Sequence, residues 1–315
     1  MIKTPLCELL GIEYPILQGG MAWIADASLA AAVSNGGGLG LISAMNANAE
    51  WVKGEIRKAK TLTDKPFGVN IMLMSPYAQE VARLVIDEGV PVVTTGAGNP
   101  SQYMAAWLEA GVKVLPVVAS TGIAKRVARC GAVAVIAEGC ESGGHIGELT
   151  TMTLVPQVCD AVDIPVVAAG GIADGRGIAA AFLLGAAGVQ VGTRFLVANE
   201  CGVHQNYKNK ILHAKDIDTL TTGKRSGHPV RALKTAFTRE FAKKEYDADV
   251  SLEDLEAFGS GALRRAAVEG DEKNGCFMAG QIAAIVDKEQ PAAEIIREMF
   301  GEAETVLGGA GRWVK

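Results

Sequence analysis

A glycine-rich segment at residues 138–147 contains the side chain best suited to proton chemistry. His145 follows Gly144 and precedes Ile146 in the sequence GGHIG. The glycines around His145 offer it little side-chain packing, so we do not expect this histidine to be buried in a core. An imidazole titrates near neutral pH and can donate or accept a proton. We therefore expect His145 to act in catalysis or to polarise a substrate; the alternative is a loop histidine bonded to backbone.

Two glycine-containing sequences have the pattern of a phosphate site. Gly170-Gly171 precedes Asp174 and a helical segment, and Gly192-Thr193 closes the next β-branched run. Bare N–H groups at a helix N-terminus bind anions, and glycine permits close approach to the backbone. Asp174 could instead merely cap its helix, with the glycines serving as turns. Since both sequences carry the feature together, phosphate binding is the favoured interpretation.

Eight short runs rich in β-branched residues must position these groups, and helical segments alternate with them. They cover residues 14–20, 37–43, 66–73, 91–98, 113–120, 132–139, 165–171 and 188–195. Nearly continuous apolar strands that alternate with helices indicate a parallel sheet covered on both faces. We predict an α/β fold, a (β/α)8 TIM barrel over residues 1–199. A doubly wound sheet is the alternative, but no run is followed by a GxGxxG sequence.

In such barrels the active site lies at the carboxyl ends of the strands. Glycines and a few polar residues are predicted there: Gln18, Gly19, Gly20, Met21, Ser43, Asn70, Thr95, Gly96, Ala97, Glu138, Gly139, Ala169, Gly170, Gly171, Gly192, Thr193 and Arg194. The amide of Asn70 could pair with the edge of a flat heterocycle; a turn-forming asparagine is the alternative. The chain has 38 glycines in 315 residues, where average usage gives roughly 22, and this clustering accounts for part of the surplus.

Composition excludes several classes of partner. The net charge is −5 and aromatic residues make up 5% of the chain, so no nucleic-acid partner is expected. The first residues lack the pattern of a signal peptide, and the least polar stretch, 177–192, is too short to span a bilayer. We expect no membrane partner and a cytoplasmic location. The six cysteines form no CxxC pair, so no metal site is expected, and nothing marks Cys140 as an activated nucleophile.

The composition changes after residue 199. The β-branched runs stop, and residues 200–276 contain three of the four histidines and most of the clustered charge. We predict a small helical or irregular subdomain over the barrel mouth, in which His204, His213 and His228 have structural or surface roles. A helical pattern returns over 277–315 and is expected to pack back on the barrel. Its apolar helices also favour a homodimer.

Taken together, these motifs resemble the flavin-dependent enoyl-acyl carrier protein reductase II family, whose close relatives are the nitronate monooxygenases. The resemblance covers essentially the whole chain. It is carried by YPILQGGMA at 14–22, KPFGVN at 65–70, TTGAG at 94–98, Glu138-Gly139, GGHIG at 143–147, AGGIADG at 169–175 and VGTRF at 191–195.

The resemblance implies an FMN at the barrel mouth and makes His145 the catalytic histidine. The phosphate of FMN is expected on the two glycine sequences, and the flavin ring on Gly20, Met21, Ala22 and Asn70. The full cofactor-binding set is Gly19, Gly20, Met21, Ala22, Ser43, Asn70, Glu138, Gly144, Ala169, Gly170, Gly171, Gly192, Thr193, Met278 and Gln281.

The reductase branch is favoured over the nitronate branch. Nitronate monooxygenases usually have arginine after the histidine, whereas this chain has Ile146, which suits an acyl chain better than a small anion. The sequences at 150–153 and 278–281 also resemble the reductases. The implied reaction is reduction of the trans-2 double bond of enoyl thioesters with NADH or NADPH in fatty-acid synthesis. The alternatives are oxidation of alkyl nitronates with FMN and O₂, and a non-catalytic flavin- or phosphate-binding protein.

The implied partner is acyl carrier protein, which is strongly acidic. Since this chain is net negative, docking requires a local basic patch. Lys224-Arg225 and Arg264-Arg265 are the candidates, and a solvated surface is the alternative. The reductases also often respond to K⁺, for which the sequence offers no evident ligand set.

Overall fold

The structure, a computed structural model, describes residues 2–44 and 47–313. Its strands are β1 (Ile16–Gln18), β2 (Gly40–Ser43), β3 (Phe67–Met72), β4 (Val92–Gly96), β5 (Lys113–Val118), β6 (Val135–Glu138), β7 (Gly144–His145), β8 (Val166–Ala169), β9 (Gly188–Val191), β10 (Thr219–Thr222) and β11 (Val230–Leu233). Eight of them form one parallel sheet in the order β1-β9-β8-β6-β5-β4-β3-β2. The predicted TIM barrel is therefore confirmed.

Backbone hydrogen bonds beside β2 close the barrel. The Gln18 N–H donates to the Leu39 carbonyl at 3.0 Å, and the Leu39 N–H donates to the Ile16 carbonyl at 2.9 Å. Inside, Leu17, Leu115 and Ile136 belong to one buried cluster that also contains Leu6 and Leu10. The helix that carries these two leucines thus plugs the barrel at the amino ends of the strands.

Helices alternate with the strands, as the sequence predicts. They are α1 (Pro5–Leu10), α2 (Ala27–Asn35), α3 (Ala49–Leu62), α4 (Ala78–Asp87), α5 (Ser101–Glu109), α6 (Thr121–Arg129), α7 (Thr151–Cys159), α8 (Gly175–Leu183), α9 (Gln205–Leu212), α10 (Ala236–Glu245), α11 (Leu252–Gly259), α12 (Ala262–Arg264) and α13 (Ala292–Gly308). Side chains of Asp26, Asn48, Ser120 and Asp174 accept N–H groups in the first turns of α2, α3, α6 and α8. These caps explain why each helix begins shortly after its strand ends.

The segment after the barrel contains a sheet that the sequence did not predict. Strands β10 and β11 form an antiparallel hairpin, and β7 pairs antiparallel with β11. The expected helical or irregular subdomain therefore needs a correction: it contains α9–α12 and a three-stranded sheet. The third strand comes from the histidine segment of the barrel. We call residues 200–276 the cap; its boundaries stay a prediction.

Helix α13 packs against the barrel helices α8 and α2. Its apolar face, which includes Ile295, Met299 and Phe300, is buried in the same cluster as Ile178 of α8. The face that suggested a homodimer is therefore covered within the chain, and the oligomeric state stays a prediction. No helix among the described residues is both long and apolar enough to cross a bilayer.

Candidate active site

A pocket opens at the carboxyl ends of the barrel strands, beneath the cap. Most of the predicted site residues line it: Gly19, Gly20, Met21, Ala22, Asn70, Glu138, Gly144, His145, Ala169, Gly170, Gly171, Gly192, Thr193 and Met278. Ser43 and Gln281 do not. Ser43 is buried at the end of β2, where its Oγ has no hydrogen-bond partner among the described residues. Gln281 is exposed and contributes its backbone N–H, which donates to the Glu141 carbonyl at 2.9 Å.

His145 is held by the cap rather than carried on a free loop. It lies opposite Val230 in the β7–β11 pair, and the next N–H, of Ile146, donates to the Pro229 carbonyl at 3.0 Å. From β11, the Arg231 guanidinium donates through Nε to the Cys140 carbonyl at 3.0 Å. A sequence flanked by glycines gave no sign of this pairing, because the partner strand lies some 85 residues further along the chain.

The surroundings of His145 favour its neutral form. The imidazole is exposed at the mouth of the pocket. Desolvation by the surrounding walls, followed by the charge of His228, lowers the pKa of His145 from its ordinary value. The lowered pKa favours the uncharged ring, which has one nitrogen that can donate a hydrogen bond and one that can accept.

Glu138 ends β6 and faces the pocket from the barrel. The Ser142 hydroxyl donates to its Oε1 at 3.0 Å. Burial raises the pKa of Glu138 to about 7, and the Ser142 hydrogen bond opposes this only in part. A substantial fraction of this carboxyl is thus protonated at neutral pH and can act as a hydrogen-bond donor.

Gly20 and Asn70 form a close contact on the same wall. A Cβ placed on Gly20 would overlap the Cβ, Cγ and Nδ2 atoms of Asn70. The Thr94 hydroxyl donates to Oδ1 of Asn70 at 2.9 Å, and Thr94 is fully buried. Only glycine allows the backbone at position 20 to lie this close to the side-chain amide of Asn70.

The predicted phosphate site needs one correction. The first N–H groups of α8 are already bonded: that of Gly175 donates to Glu302 at 2.8 Å, and those of Arg176 and Gly177 donate to Asp174 at 2.9 and 3.3 Å. Asp174 is a helix cap, as the alternative interpretation held. The start of α8 is therefore not available to an anion.

The glycine backbones remain available to an anion. Gly170 and Gly171 have φ values of +87° and +73°, a left-handed conformation that glycine adopts without strain. In the part of the chain that the structure describes, no hydrogen-bond acceptor is found for the N–H groups of Gly171 and Gly192. Beside them, the Thr193 hydroxyl accepts the Gly280 N–H at 2.9 Å. Two unpaired donors on adjacent strand ends fit an anionic group.

Several lining residues were not predicted. Gln190 is a buried polar residue in the otherwise apolar β9, and that contrast could have identified it. Leu263 and Ile282 come from segments far from any barrel strand, and nothing in their local sequence pointed to the pocket. The Tyr207 hydroxyl donates to the Met278 carbonyl at 2.7 Å and so fixes the segment that precedes Ile282.

The arginines expected to dock a carrier protein are bonded within the cap. The Arg225 guanidinium donates to the carbonyls of Glu245 and Asp247 at 3.3 and 3.1 Å. That of Arg265 donates to the carbonyls of Ser260 and Asn274 at 3.1 and 3.3 Å. Arg264 pairs with Glu269. Most of the expected patch therefore stabilises the cap, and carrier docking there stays a prediction.

The chain is similar to known oxidoreductases over most of its length. The family model described as nitronate monooxygenase matches residues 3–302. A probable nitronate monooxygenase of Staphylococcus saprophyticus is 34% identical, over 97% of this chain and 99% of the relative. A relative in Rhodococcus jostii, (3aS,4S,5R,7aS)-5-hydroxy-7a-methyl-1-oxo-octahydro-1H-indene-4-carboxyl-CoA dehydrogenase, is 44% identical over 74% of this chain and 66% of its own length.

Two solved structures share the full architecture. FabK from Thermotoga maritima is 49% identical, with a TM-score of 0.97 and full coverage of both chains. A nitroalkane oxidase from Streptomyces ansochromogenes is 30% identical, with a TM-score of 0.85 and coverage of 96% of this chain and 99% of the other.

Proposed function

We propose, from the premise that the chain belongs to the nitronate monooxygenase family, that it is an FMN-dependent enoyl-acyl carrier protein reductase. It would reduce the trans-2 double bond of enoyl thioesters in fatty-acid synthesis, with NADH or NADPH as reductant. The likeness to FabK supports this branch of an oxidoreductase family. The observation that carries the proposal is an apolar wall of Leu263, Met278 and Ile282 that shares the pocket with His145.

The pocket fits a flavin mononucleotide. The unpaired N–H groups of Gly171 and Gly192 would hold its phosphate, and the wall at Gly20, Asn70 and Glu138 would hold its ring. Among the described residues, Asn70 has a hydrogen bond from Thr94 to its Oδ1 and none from its Nδ2, so the Nδ2 group can donate to the ring. Bound FMN supplies the hydride chemistry between the nicotinamide and the double bond, which no side chain of the protein can provide.

His145 is suited to the charge that develops on the substrate. Reduction of the double bond places negative charge on the thioester oxygen, and stabilising it is the main task of the protein. A neutral imidazole with a lowered pKa can donate its N–H to that oxygen without carrying a charge of its own. The pairing of β7 with β11 holds the ring in place before substrate binds.

The apolar wall contributes by excluding water. Leu263 and Ile282 are mostly buried, and together with Met278 they face the pocket. Such a surface accommodates the alkyl chain of an enoyl thioester and strengthens the hydrogen bond from His145 by lowering the local dielectric. Ile146, which follows the histidine, is also apolar.

Nitronate oxidation by O₂ is the second candidate, and the full-length likeness to the Staphylococcus protein favours it. It predicts that a small anion is oxidised without any nicotinamide. A non-catalytic flavin- or phosphate-binding protein is the third candidate. Among the described residues, no group of three or more His, Cys, Asp and Glu side chains is placed to hold a metal ion; a response to K⁺ stays a prediction.

One experiment separates these functions. Anaerobic consumption of NADH and NADPH is measured with and without crotonyl thioester, and propionate-3-nitronate is then oxidised in air as a parallel assay. Reduction that depends on the thioester supports the reductase. Turnover of the nitronate alone supports the monooxygenase and refutes our first choice. A flavin that stays oxidised on anaerobic mixing with NADH and NADPH, with no turnover of the nitronate in air, indicates a binding protein.

A further inference from the structure

The two strained residues of the described chain lie at the rim of the pocket. Among the described residues, the non-glycine residues with a left-handed φ are Trp23, at +63°, and Ala97, at +50°. Ala97 lines the pocket, and so do Ala22 and Ile24 on either side of Trp23. A bulky residue rarely adopts this conformation, and strain of this kind tends to occur at functional sites.

The strained backbone presents an aromatic ring to solvent. Trp23 is 46% exposed, although it stands between residues that are buried. The Arg264 guanidinium lies over the Trp23 ring at 5.9 Å from its centroid. This contact covers one face of the indole, and the exposed fraction of Trp23 leaves part of the ring open to a ligand.

Arg264 reaches the rim from the cap. It ends α12, and the preceding residue, Leu263, lines the pocket. A single π-helical turn, Arg265–Glu269, follows immediately, and such turns are frequent at functional sites. The ion pair with Glu269, made through Nη1, fixes Arg264 over the indole. Its other guanidinium N–H groups have no hydrogen-bond partner among the described residues, so they can bond a second anion beside Glu269.

We propose that Trp23 and Arg264 form a binding site for an adenosine diphosphate group at the mouth of the pocket. The purine stacks on the outer face of Trp23, as bases stack on exposed aromatic rings. Arg264 attracts the diphosphate, for which a guanidinium is the preferred donor. The inference rests on the proposed function, since the reductant must place its nicotinamide in the pocket while its adenosine half extends beyond the rim.

Two classes of ligand that the pocket could receive carry this group: the nicotinamide dinucleotides and coenzyme A thioesters. NADH and NADPH contain adenosine diphosphate, and so does a coenzyme A thioester, whereas a pantetheine thioester does not. A shift of KM for the nicotinamide dinucleotides identifies them as the ligand. A shift for crotonyl-CoA that is absent for crotonyl-pantetheine identifies coenzyme A.

The test compares Trp23→Ala with a matched control, Trp51→Ala, in the flavin-loaded protein. Trp51 is 45% exposed at the start of α3 and does not line the pocket. ADP is the probe, and its binding is measured by calorimetry, which requires no turnover. Trp23→Ala is expected to weaken ADP binding about 5- to 100-fold, the loss typical of one stacked base. Trp23→Phe should restore most of the affinity, and Trp51→Ala should leave it unchanged.

Arg264→Met covers the case in which Trp23→Ala does not fold. It keeps the indole and removes the cation, and it should weaken ADP binding several-fold. Unchanged ADP affinity in Arg264→Met and in every folded Trp23 variant overturns the proposal, as does the absence of ADP binding to the wild-type protein. If ADP binds as expected but no enoyl thioester is reduced, the proposed function fails while the adenosine site stands.

Discussion

The two walls of the pocket are built in different ways. The barrel wall consists of residues at the ends of parallel strands or within two residues of them, so the hydrogen-bonded ladder of the sheet sets where they lie. The cap wall is assembled from segments far apart in the sequence, joined by a few contacts such as β7–β11. The barrel wall is Gly20, Asn70, Glu138, Gly171 and Gly192. We use the term cap wall for Leu263 of the cap together with His145, Met278 and Ile282, which lie outside residues 200–276 and complete the same side of the pocket.

Under the proposed function, this difference corresponds to separate roles for the two walls. The barrel wall offers backbone donors and a flat polar edge, which suit a cofactor that stays bound. The cap wall offers one imidazole and apolar side chains, which suit a substrate that comes and goes. Changes in the barrel wall should therefore alter cofactor binding, and changes in the cap wall should alter turnover while the cofactor remains bound.

The strongest test of this division is His145→Ala. We expect enoyl reduction to fall by roughly 10²- to 10⁴-fold, the range for lost acid–base assistance. The flavin content of the purified variant, measured from its absorbance spectrum, should equal that of the wild type. His213→Ala, on the exposed end of α9, serves as the control and should keep full turnover. Full turnover by His145→Ala would remove this residue from the mechanism.

Gly20→Ala tests the barrel wall. The new methyl group would overlap Asn70, and overpacking of about 1–3 kcal/mol corresponds to FMN binding weakened roughly 5- to 100-fold. The dissociation constant is measured by flavin fluorescence. Gly54→Ala, where a Cβ meets no atom within 4 Å, is the matched control. Normal FMN affinity in Gly20→Ala would show that this contact does not shape the cofactor site.

Glu138→Gln tests the barrel wall through the pH dependence of the free energy of unfolding. The pKa of Glu138 is raised to about 7 from an ordinary 4.5. Between pH 4.5 and 7, the carboxyl of Glu138 is therefore protonated in the folded protein and ionised in the unfolded chain. The contribution of Glu138 to the free energy of unfolding is therefore greatest below pH 4.5 and is lost as pH rises through 7. The flavin-free variant should be stabilised relative to wild type by up to about 3 kcal/mol at pH 8, and much less at pH 5.

Denaturant unfolding at the two pH values measures this difference. Glu148→Gln, at an exposed position of the same loop, is the control and should show no such change with pH. If Glu138→Gln and the wild type have the same pH dependence, the carboxyl is ionised in the folded protein and cannot donate a hydrogen bond in the pocket.

Arg231→Met is expected to have the smallest effect. The guanidinium holds the Cys140 carbonyl and also donates to the Thr219 hydroxyl at 3.1 Å. Its loss should loosen the segment that carries His145 and lower kcat by roughly 10-fold, with flavin content unchanged. Arg239→Met, on an exposed position of α10, is the control. A loss of flavin in Arg231→Met would contradict the separation of the two walls.

The sequence predicted the barrel wall far better than the cap wall. The β-branched runs located every barrel strand, and the residues after them, such as Asn70 and Gly171, lie in the pocket because parallel strands end at one edge. Five of the predicted strand-end residues do not line the pocket: Gln18, Ser43, Thr95, Gly139 and Arg194. The four of them that are not glycine are buried in the fold instead.

The strands of the cap could not be predicted from the pattern of the sequence. Strand β10 has the polar sequence TLTT, and β7 has only two residues, so neither shows a pattern apart from its partner. Likewise, the helix start after Gly171 suggested an anion site, but Glu302 from α13 occupies one of its donors. Both outcomes depend on residues distant in the sequence, which local periodicity cannot reveal.

The hydrogen bond between Gly280 and Thr193 also bears on the order in which the protein matures during synthesis. The barrel can close once β9 has left the ribosome, because β9 supplies the last partner for β1. The pocket, however, is complete only when the segment at Gly280–Ile282 has reached Thr193. A nascent chain would thus carry a finished barrel with an open, one-walled site, and tight capture of the cofactor would be a late event.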